Sequence, residues 1–371
     1  MTKPRLIVIG ALPPPYHGVT VSNSLVLGNP ILGERFIVEH VDTSDRRSGH
    51  NIGRWDLTNV AIGLRGAASL ARRLAGDPGV VYLPLSQNVG ALLRDSLFIH
   101  LAAVRGWKVA THLRGSEFRD LYARQPAPLR RWMGFTLSRI DSIAVLGESL
   151  RWVFEGLVPE QRIAVVPNGT PDPGPDGGRR DSGTVLFLSN LRRRKGVAEA
   201  VEAALAVVKR RPGARFVFAG SWEEPDFERE MRACAEAAGG AIRFLAPVSS
   251  EEKLRLLLSS SVLLFPPAEP EGHPRVVLEA MGAGLPVVTT NRGAIAETVV
   301  DGECGYVLDD PVPHELAKRL LTLLDSRELR ERMGRAARER YLRSFTQEIA
   351  DRNLADWLQR VVGDERGERR C

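Results

Sequence analysis

The feature that most constrains the fold of this chain is a regular alternation of short apolar runs with longer stretches of helical periodicity. In the first half these runs have strand length and no polar alternation; they are Arg5–Gly10, Phe36–Val41, Val80–Leu83, Lys108–His112, Ser142–Leu146 and Arg162–Val166. Helical patterns such as Gly18–Leu27 and Val89–Val104 separate them. Unbroken apolar strands separated by helices are typical of a parallel sheet covered on both faces.

The second half of the chain repeats this pattern. Its apolar runs are Thr184–Ser189, Arg215–Ala219, Ala241–Phe244, Val262–Phe265 and Pro286–Thr290. Between the halves, the density of Pro and Gly in 171–183 prevents continued helix or strand. Because 371 residues are enough for two ordinary cores, we predict an α/β protein with two Rossmann-like, doubly wound domains facing a cleft.

The predicted domain boundaries follow from these patterns. Residues 1–172 form the N-terminal domain, 173–183 the linker and 184–345 the C-terminal domain. A further helical stretch, 346–362, is expected to pack back on the N-terminal domain, and 363–371 is expected to be a flexible tail.

The charge of the chain is distributed unevenly. Residues 1–170 contain 20 Lys and Arg against 13 Asp and Glu, whereas the rest contains 31 against 32, so the positive excess lies in the first half. A basic half attracts an anionic partner: nucleic acid, a membrane surface or a phosphorylated substrate. No run reaches the roughly 18 apolar residues of a membrane-spanning helix, and three widely spaced cysteines suit a reducing cytoplasm.

The densest motif is 269–286, where a glycine-containing loop leads from the end of a strand at Phe265 into a helix. Pro274 suits the first helical position, where its missing N–H has no cost, and Gly284 suits the C-terminal cap. A loop of this kind presents free amides to an anion, as in sites for nucleotide phosphates.

Two glutamates of this motif, Glu271 and Glu279, are eight residues apart. Eight helical positions span roughly 12 Å, so they are not expected to be the facing carboxylates of a glycoside hydrolase. Each would instead accept hydrogen bonds from a different part of one long ligand. The alternative is a surface loop with two solvated glutamates.

Two other strand-to-helix turns carry candidate residues. In 190–196, Lys195 precedes Gly196 and can reach phosphates at the same edge of the sheet, whereas Arg192–Arg194 are more typical of a solvated basic run. In 10–18, a Pro-rich glycine loop follows the first strand, where a doubly wound domain faces its ligand crevice. Such Pro-rich loops are also often merely structural.

Together these residues resemble a known family. The run Glu271–Val287, read as Glu-Gly-x-Pro-x-Val-x-Leu-Glu-Ala-Met-x-x-Gly-x-Pro-Val, is similar to the E-x7-E signature of the retaining nucleotide-sugar glycosyltransferases of family 4, which have the GT-B fold. The resemblance extends over most of the chain and includes Lys195–Gly196, Pro167–Gly169, Thr290–Glu297 and Asp301–Gly305.

The resemblance implies that both domains bind the donor. Lys195 would pair with the donor diphosphate and Gly18 would face it from the N-terminal domain. The other predicted donor-binding residues lie in the two C-terminal motifs: Asn190, Arg194, Gly272, His273, Pro274 and Glu279. Among them Glu279 would hydrogen-bond the ribose, while Glu271, with the amides around Gly272–Pro274, would hold the donor sugar and its phosphates. Glu271 and Lys195 are also predicted catalytic residues.

The chain departs from the family at two positions. Relatives usually carry Arg where this chain has Asn190, and one of Arg192–Arg194 is the candidate replacement. Many relatives carry His, near the reacting sugar, where this chain has Arg114; His112 lies two residues earlier and points the same way on an extended strand. His112 and Arg114 are therefore alternative catalytic candidates.

The reaction that the resemblance implies is transfer of a sugar, with retention, from a nucleotide-diphosphate donor. Cationic side chains and helix-terminus amides can stabilise the departing diphosphate without a metal. The chain has no Asp-x-Asp motif and no His/Cys cluster with ligand spacing. We therefore expect no metal site and no other cofactor.

The acceptor, a saccharide or a lipid-linked molecule, is expected on the N-terminal domain. Segment 105–139 contains eight Lys and Arg, two acidic residues and five interleaved aromatics: Trp107, Phe118, Tyr122, Trp132 and Phe135. This mixture suits a membrane surface or a lipid-diphosphate-linked acceptor; the alternative is a solvated helix face with core aromatics. The expected setting is bacterial surface polysaccharide or glycolipid synthesis, in the cytoplasm or at the inner face of the cell membrane.

Two other function classes stay open on the sequence. A nucleotide-sugar epimerase of similar fold would use the same donor without an acceptor. A basic two-domain protein would alternatively bind nucleic acid or membrane. The chain has no recognition-helix, zinc-finger or RNA-binding motif, so we expect no nucleic-acid partner.

Overall fold

A computed structural model describes residues 3–14, 18–47, 57–174 and 183–363 of the protein. The chain forms two compact units, one made of the residues up to Pro167 together with those from Ala350 onward, the other of Asn168–Ile349. Most of the predicted linker (175–182) and of the predicted tail (364–371) lies outside the described residues.

The N-terminal unit is built on a six-stranded parallel sheet in the order β2-β1-β3-β4-β5-β6. The strands are β1 (Arg5–Gly10), β2 (Ile37–Asp42), β3 (Val80–Leu85), β4 (Lys108–Leu113), β5 (Ser142–Val145) and β6 (Ile163–Val165). All six are within one or two residues of the predicted apolar runs. They are recognisable in sequence because a parallel strand buried on both faces keeps no polar alternation.

The α-helices that the structure describes before β6 are α1 (Gly18–Leu27), α2 (Pro30–Arg35), α3 (Leu57–Arg73), α4 (Val89–Val104), α5 (Phe118–Ala123) and α6 (Ala127–Ser138). Helices α3 and α4 approach closely because α3 has glycine at the contact. A Cβ atom added to Gly66 would lie 3.1 Å from the ring of Phe98 on α4. The start of the short helix α2 is fixed by its N-cap. The Asn29 side chain accepts from the amides of Ile31 and Leu32, and Pro30 follows at the first helical position.

The last helix within the described residues, α14 (Gln347–Gly363), carries a buried stripe at helical spacing that includes Leu354, Trp357, Leu358 and Val361. These residues belong to the core of the N-terminal unit, on the face of the sheet that also contains Tyr82. The indole N–H of Trp357 donates to Ser142 Oγ at 2.9 Å. The second segment of this unit is thus anchored by both apolar burial and a buried hydrogen bond.

The C-terminal unit has its own six-stranded parallel sheet in the order β12-β11-β10-β7-β8-β9. The strands are β7 (Thr184–Leu188), β8 (Arg215–Ala219), β9 (Ile242–Leu245), β10 (Val262–Phe265), β11 (Val287–Thr290) and β12 (Gly305–Leu308). The helices are α7 (Val197–Arg210), α8 (Pro225–Glu236), α9 (Ser250–Ser259), α10 (Arg275–Gly282), α11 (Ile295–Thr298), α12 (Pro313–Asp325) and α13 (Arg327–Ser344).

Two apolar cores cover the two faces of this second sheet. Phe187 and Phe218 stack on one face with ring centroids 5.2 Å apart, whereas Leu186, Leu263 and Phe265 belong to the other. Double burial explains the unbroken apolar runs again. The edge strand β12 was not predicted, because four residues beginning with glycine give too short a pattern.

Both units are therefore doubly wound α/β domains, and the predicted fold class is confirmed in this respect. Within the described ranges, no helix combines the length and apolar character that crossing a membrane requires.

Candidate functional site

The sheet order of the C-terminal unit fixes where a ligand can bind. Strands β7 and β10 are neighbours, but the chain continues from β7 toward β8 on one side and from β10 toward β11 on the other. Ligands of open α/β sheets bind outside the carboxyl ends of the strands at such a switch point. The loops that follow β7 and β10, 189–196 and 266–274, are the two strongest sequence motifs.

The loop after β7 is fastened to the loop after β10. It closes with a 3-10 turn, Arg193–Lys195, and Gly196 has φ of +76°. A Cβ atom at Gly196 would lie 1.8 Å from the carbonyl oxygen of Pro266, so only glycine fits. The Arg194 carbonyl accepts from the amides of Ala268 (3.1 Å) and Glu269 (3.2 Å).

This fastening brings together two predicted catalytic residues that are far apart in sequence. Lys195 Nζ contacts Glu271 Oε1 in an ion pair, and both side chains are largely buried, with 17% and 12% of their area exposed. The ammonium also lies 5.7 Å from the centroid of the Phe265 ring at the end of β10. A lysine and a glutamate in this partly desolvated position interact more strongly than they would on an open surface.

The loop after β10 is also held from the side of β11. Gly293 has φ of +58°, and a Cβ atom there would lie 2.0 Å from the carbonyl oxygen of Glu271. The amide of Ala294 donates to Gly272 O at 2.9 Å, and Thr290 Oγ1 donates to Pro267 O at 2.6 Å. Glu271 therefore lies on a loop that is fixed on both sides.

Helix α10 begins one residue later than predicted. Pro274 is the N-cap with extended φ and ψ (−65°, 121°), and Arg275 is the first helical residue. Proline has no N–H, so the free amides of this loop come from Gly272 and His273, neither of which has an acceptor within the described residues. At the other end, Gly284 has φ of +72° as predicted for a cap.

The imidazole of His273 is not available to a ligand, so the predicted donor-binding role of this residue rests on its backbone amide. The residue is 4% exposed; Nδ1 accepts from the Asn168 amide at 3.1 Å and Nε2 lies 2.9 Å from Thr298 Oγ1. Burial, reinforced by the charge of Arg275, lowers the pKa of His273 to about 3. The neutral ring has a structural role, and only the backbone of His273 is available to contact a ligand.

Glu279 has a partner that sequence reasoning missed. On α10 its Oε1 accepts from Lys253 Nζ of α9 at 2.6 Å, and 18% of the Glu279 side chain is exposed. No local pattern marks Lys253, because the pair exists only through the packing of α9 beside α10. Glu271 and Glu279 thus hold different lysines, Lys195 and Lys253, along one edge of the unit.

Two arginines of the basic run 192–194 make contacts with residues that follow β8. Arg192 contacts Glu223, and Arg193 pairs with Glu230 at 2.6 Å and lies over the Phe227 ring at 4.2 Å. Burial and the neighbouring guanidinium of Arg194 lower the pKa of Arg192.

Asn190, which stands where relatives usually carry arginine, also has a hydrogen-bond partner. Asn190 Oδ1 accepts from Ser221 Oγ at 3.2 Å, in the loop after β8. Two of the three candidate replacements, Arg192 and Arg193, are therefore paired toward α8, and Arg194 is the one that adjoins Lys195 in the turn.

The N-terminal unit has a cavity of about 560 Å³ at its own switch point, where β1 and β3 are neighbours. Its walls come from the ends of β1 and β3 and from α1, α3 and α4, and Arg114 also lines it. Gly18 is the exposed first residue of α1, where a Cβ atom would meet no atom of the described residues within 4 Å.

Of the alternatives His112 and Arg114, Arg114 lies at this cavity. His112 is 1% exposed; its ring packs edge-on against Tyr82 and Trp357, with centroids 6.4 and 5.9 Å away. Arg114 Nη2 donates to Tyr82 Oη at 2.8 Å. His112 is enclosed because β4 is covered on both faces, here by α14, which sequence alone could not place over it.

The aromatic residues of segment 105–139 do not form one surface. Trp107 and Phe118 are core residues, exposed by 2% and 0%, and the Trp107 indole donates to Leu74 O at 3.2 Å. Phe135 is half-exposed and stacks on His100 at 5.0 Å, beneath the guanidinium of Arg139. Because they are buried, Trp107 and Phe118 cannot belong to the predicted membrane-facing surface.

Across 3–14, 18–47, 57–174 and 183–363, no group of three or more His, Cys, Asp or Glu side chains is placed to hold a metal ion.

Solved structures show the class of fold. HepE from Anabaena, solved in complex with UDP and glucose, superposes with a TM-score of 0.74 at 15% identity, covering 96% of this chain and 100% of that one. A glycosyltransferase from Rickettsia africae gives a TM-score of 0.77 at 14% identity, covering 97% and 99%. The fold is the GT-B fold of glycosyltransferases, two Rossmann-like domains in one chain.

Sequence relatives point in the same direction. Residues 176–340, which make up most of the C-terminal unit, match the family model of the glycosyl transferases group 1. Spore coat protein SA of Bacillus subtilis is 31% identical over 176 residues, 46% of this chain and 47% of that protein. D-inositol 3-phosphate glycosyltransferase of Corynebacterium glutamicum is 28% identical over 305 residues, 76% and 71%. The first of these alignments thus spans about half the length of the relative.

Proposed function

We propose that the protein is a retaining glycosyltransferase that moves a sugar from a nucleotide-diphosphate donor to an acceptor. The observation that carries the proposal is the meeting of Lys195, Glu271 and the amides of Gly272 and His273 at the β7–β10 switch point. The match of 176–340 to the group 1 family supports it independently. The residues that meet are those that the E-x7-E resemblance assigns to the donor.

In this proposal the donor diphosphate takes the place of Glu271 at Lys195. A diphosphate offers the ammonium more negative charge than one carboxylate, and the N-terminus of α10 adds the positive end of a helix dipole. Glu271, released from the pair, accepts hydrogen bonds from hydroxyls of the donor sugar. Arg194 lies next to Lys195 in the turn and adds a second cation to the same edge.

Glu279 binds the ribose hydroxyls of the donor in this proposal. Its second carboxylate oxygen is the acceptor, since Oε1 already accepts from Lys253. An ionised carboxylate held by a lysine is a strong acceptor for hydroxyl donors, because charge-assisted hydrogen bonds are roughly twice as strong as neutral ones.

The chemical step breaks the bond between the anomeric carbon and the diphosphate oxygen, and it forms a bond from that carbon to the acceptor oxygen. The departing diphosphate receives the bonding electron pair, and its phosphate takes the acceptor proton, so no separate base is needed. Lys195 and the α10 amides stabilise the charge that develops on the leaving group. We propose that these groups do so without a metal ion.

The acceptor is a saccharide or a lipid-linked molecule, and the setting is synthesis of a bacterial surface polysaccharide or glycolipid. The supporting observations are the basic excess of the first 170 residues and the cavity of the N-terminal unit. Contact with the cytoplasmic membrane surface through exposed basic residues of 105–139 belongs to the same proposal.

The test is calorimetric titration of UDP, GDP, ADP and CMP into the protein with a chelator present. UDP is the first choice because HepE was solved with it. We expect one nucleotide to bind, and Lys195→Ala to weaken it by at least tenfold, since a charge-assisted contact is lost. The control Lys209→Ala, an exposed lysine on α7, leaves the affinity unchanged. Binding of no nucleotide, or equal binding by both variants, contradicts the proposal.

A further inference from the structure

We propose that the cavity of the N-terminal unit binds an amphipathic acceptor, with an uncharged, hydroxyl-bearing head at the end of β1 and an aliphatic chain along α3 and α4. This inference rests on the proposed function, because the acceptor is defined by the transfer reaction. It commits to a glycoside with a hydrocarbon aglycone rather than to a soluble saccharide.

The apolar side of the cavity is exposed to an unusual degree. Val60 and Leu64 on α3 and Leu97 on α4 line it, yet 45%, 60% and 38% of their surfaces are accessible. Leu57, 89% exposed, continues the same face of α3 at a spacing of three and seven residues. Contiguous apolar side chains beside a cavity mark the binding of an apolar group.

The cavity wall also carries a buried polar side chain. Asn23 lines it and is only 1% exposed; its Nδ2 donates to the Ala11 carbonyl at 2.9 Å. That contact fixes the amide orientation, so the remaining atom is Oδ1, which is buried and has no hydrogen-bond partner among the residues that the structure describes. A buried acceptor without a donor is costly. A ligand hydroxyl supplies the missing donor.

Gly10 shows that the position of Asn23 is built into the fold. A Cβ atom at Gly10 would lie 2.4 Å from Asn23 Nδ2, so any other residue at the end of β1 would displace the amide. The glycine of the first strand-to-helix loop therefore makes room for a side chain of this unit, in addition to any role toward the donor.

Carboxylates of the cavity wall are already paired with arginines, which argues against a cationic head. Asp95, 2% exposed, pairs with Arg94 at 2.8 Å and accepts from the Ser86 amide at 3.0 Å. Asp45 pairs with Arg47 at 2.7 Å. Neither carboxylate is left to bind a cationic ligand. The volume of about 560 Å³ falls within the range of roughly 300–1,000 Å³ of small-molecule sites.

The experiment measures binding of methyl, hexyl and octyl β-D-glucosides, galactosides and mannosides by calorimetry, below their micellar concentrations and without donor. We expect at least one sugar series to bind at least tenfold more tightly as octyl than as methyl glycoside, since each buried methylene adds affinity. Leu64→Glu removes this chain-length dependence. The control Leu342→Glu, 43% exposed on α13 of the other unit, keeps it.

Asn23→Ala tests the head group separately, and we expect it to weaken all chain lengths by a similar factor. Equal affinity of methyl and octyl forms, no binding by any octyl glycoside, or identical behaviour of the Leu64 and Leu342 variants overturns the proposal. Nucleotide titration of the same preparation separates the two inferences. Nucleotide binding without chain-length dependence overturns only the amphipathic acceptor, whereas chain-length dependence without nucleotide binding overturns the glycosyltransferase.

Discussion

Substitution of one glycine outside the signature tests whether the Glu271 loop is positioned by its neighbours. In Gly293→Ala, the new Cβ atom would lie 2.0 Å from Glu271 O and 2.5 Å from Gly272 O. Since ordinary contacts begin at about 3.4 Å, the loop must shift by about 1.4 Å. A misplacement of about 1 Å can reduce catalysis by roughly 100-fold, and we expect a loss of this order in transfer activity together with weakened nucleotide binding.

The chain offers a matched control for backbone strain. Gly302 also has positive φ, +74°, but a Cβ atom there meets no atom of the described part of the chain within 4 Å. Gly302→Ala therefore pays only the left-handed penalty of about 1–2 kcal/mol, and it leaves the donor loop in place. Gly293→Ala has the same backbone penalty plus the collision, so the difference between the two variants isolates the loop displacement.

Both variants would be examined by thermal unfolding and by titration with the nucleotide that the wild type binds. We expect Gly302→Ala to lower the unfolding midpoint slightly and to bind the nucleotide like the wild type. We expect Gly293→Ala to lose affinity even under conditions in which it is fully folded. If the two alanine variants bind the nucleotide equally well, the loop is not held by Gly293 and the reasoning fails.

Three further predictions follow from the same contacts. The folded-state pKa of His273, about 3, lies below its unfolded value of about 6.5. Its contribution to the free energy of unfolding is therefore fully present above the unfolded pKa and is lost as the pH falls toward the folded pKa. Between pH 7 and 4.5 the free energy of unfolding decreases by about 2.5 kcal/mol. Denaturant unfolding should show that loss reduced in His273→Gln, and an unchanged pH dependence would contradict the buried neutral ring. Trp357→Ala should destabilise the N-terminal unit by about 3–5 kcal/mol, whereas Trp152→Ala, 46% exposed, should cost under about 1 kcal/mol; calorimetric unfolding that gives equal losses would refute the anchoring of α14. Nucleotide binding and transfer should persist in chelator, and loss that added divalent ion restores would overturn the metal-independent mechanism.

Most of the fold could be read from local pattern. Runs such as Arg5–Gly10, Arg215–Ala219 and Val262–Phe265 coincide with strands to the residue, because a doubly buried parallel strand has a composition that few other elements share. Elements with weak patterns were missed: β12 has four residues at a sheet edge, and α2 and α5 have six each. Short elements are decided by their neighbours more than by their own sequence.

The candidate site divides in the same way. Lys195 and Glu271 were identifiable because glycine and proline punctuate the turns that carry them, and the sheet order then brings them into contact. His273 was assigned to the donor through the amides of the same motif, and the structure adds that its ring is turned inward to Asn168 and Thr298. A motif specifies where a residue stands in the chain, but the side-chain direction depends on which partners pack around it.

The sequence by itself determined two parallel α/β domains, the strand-to-helix turns that carry chemistry and the residue types that suit an anionic donor. These properties are local, since they depend on burial patterns, caps and glycine positions along a few neighbouring residues. Only the tertiary structure decided that Lys253 pairs with Glu279, that Trp357 covers His112 and that Asn23 rests against Gly10. Those contacts join residues 13 to 245 positions apart, and their energies depend on packing and desolvation that no local pattern contains.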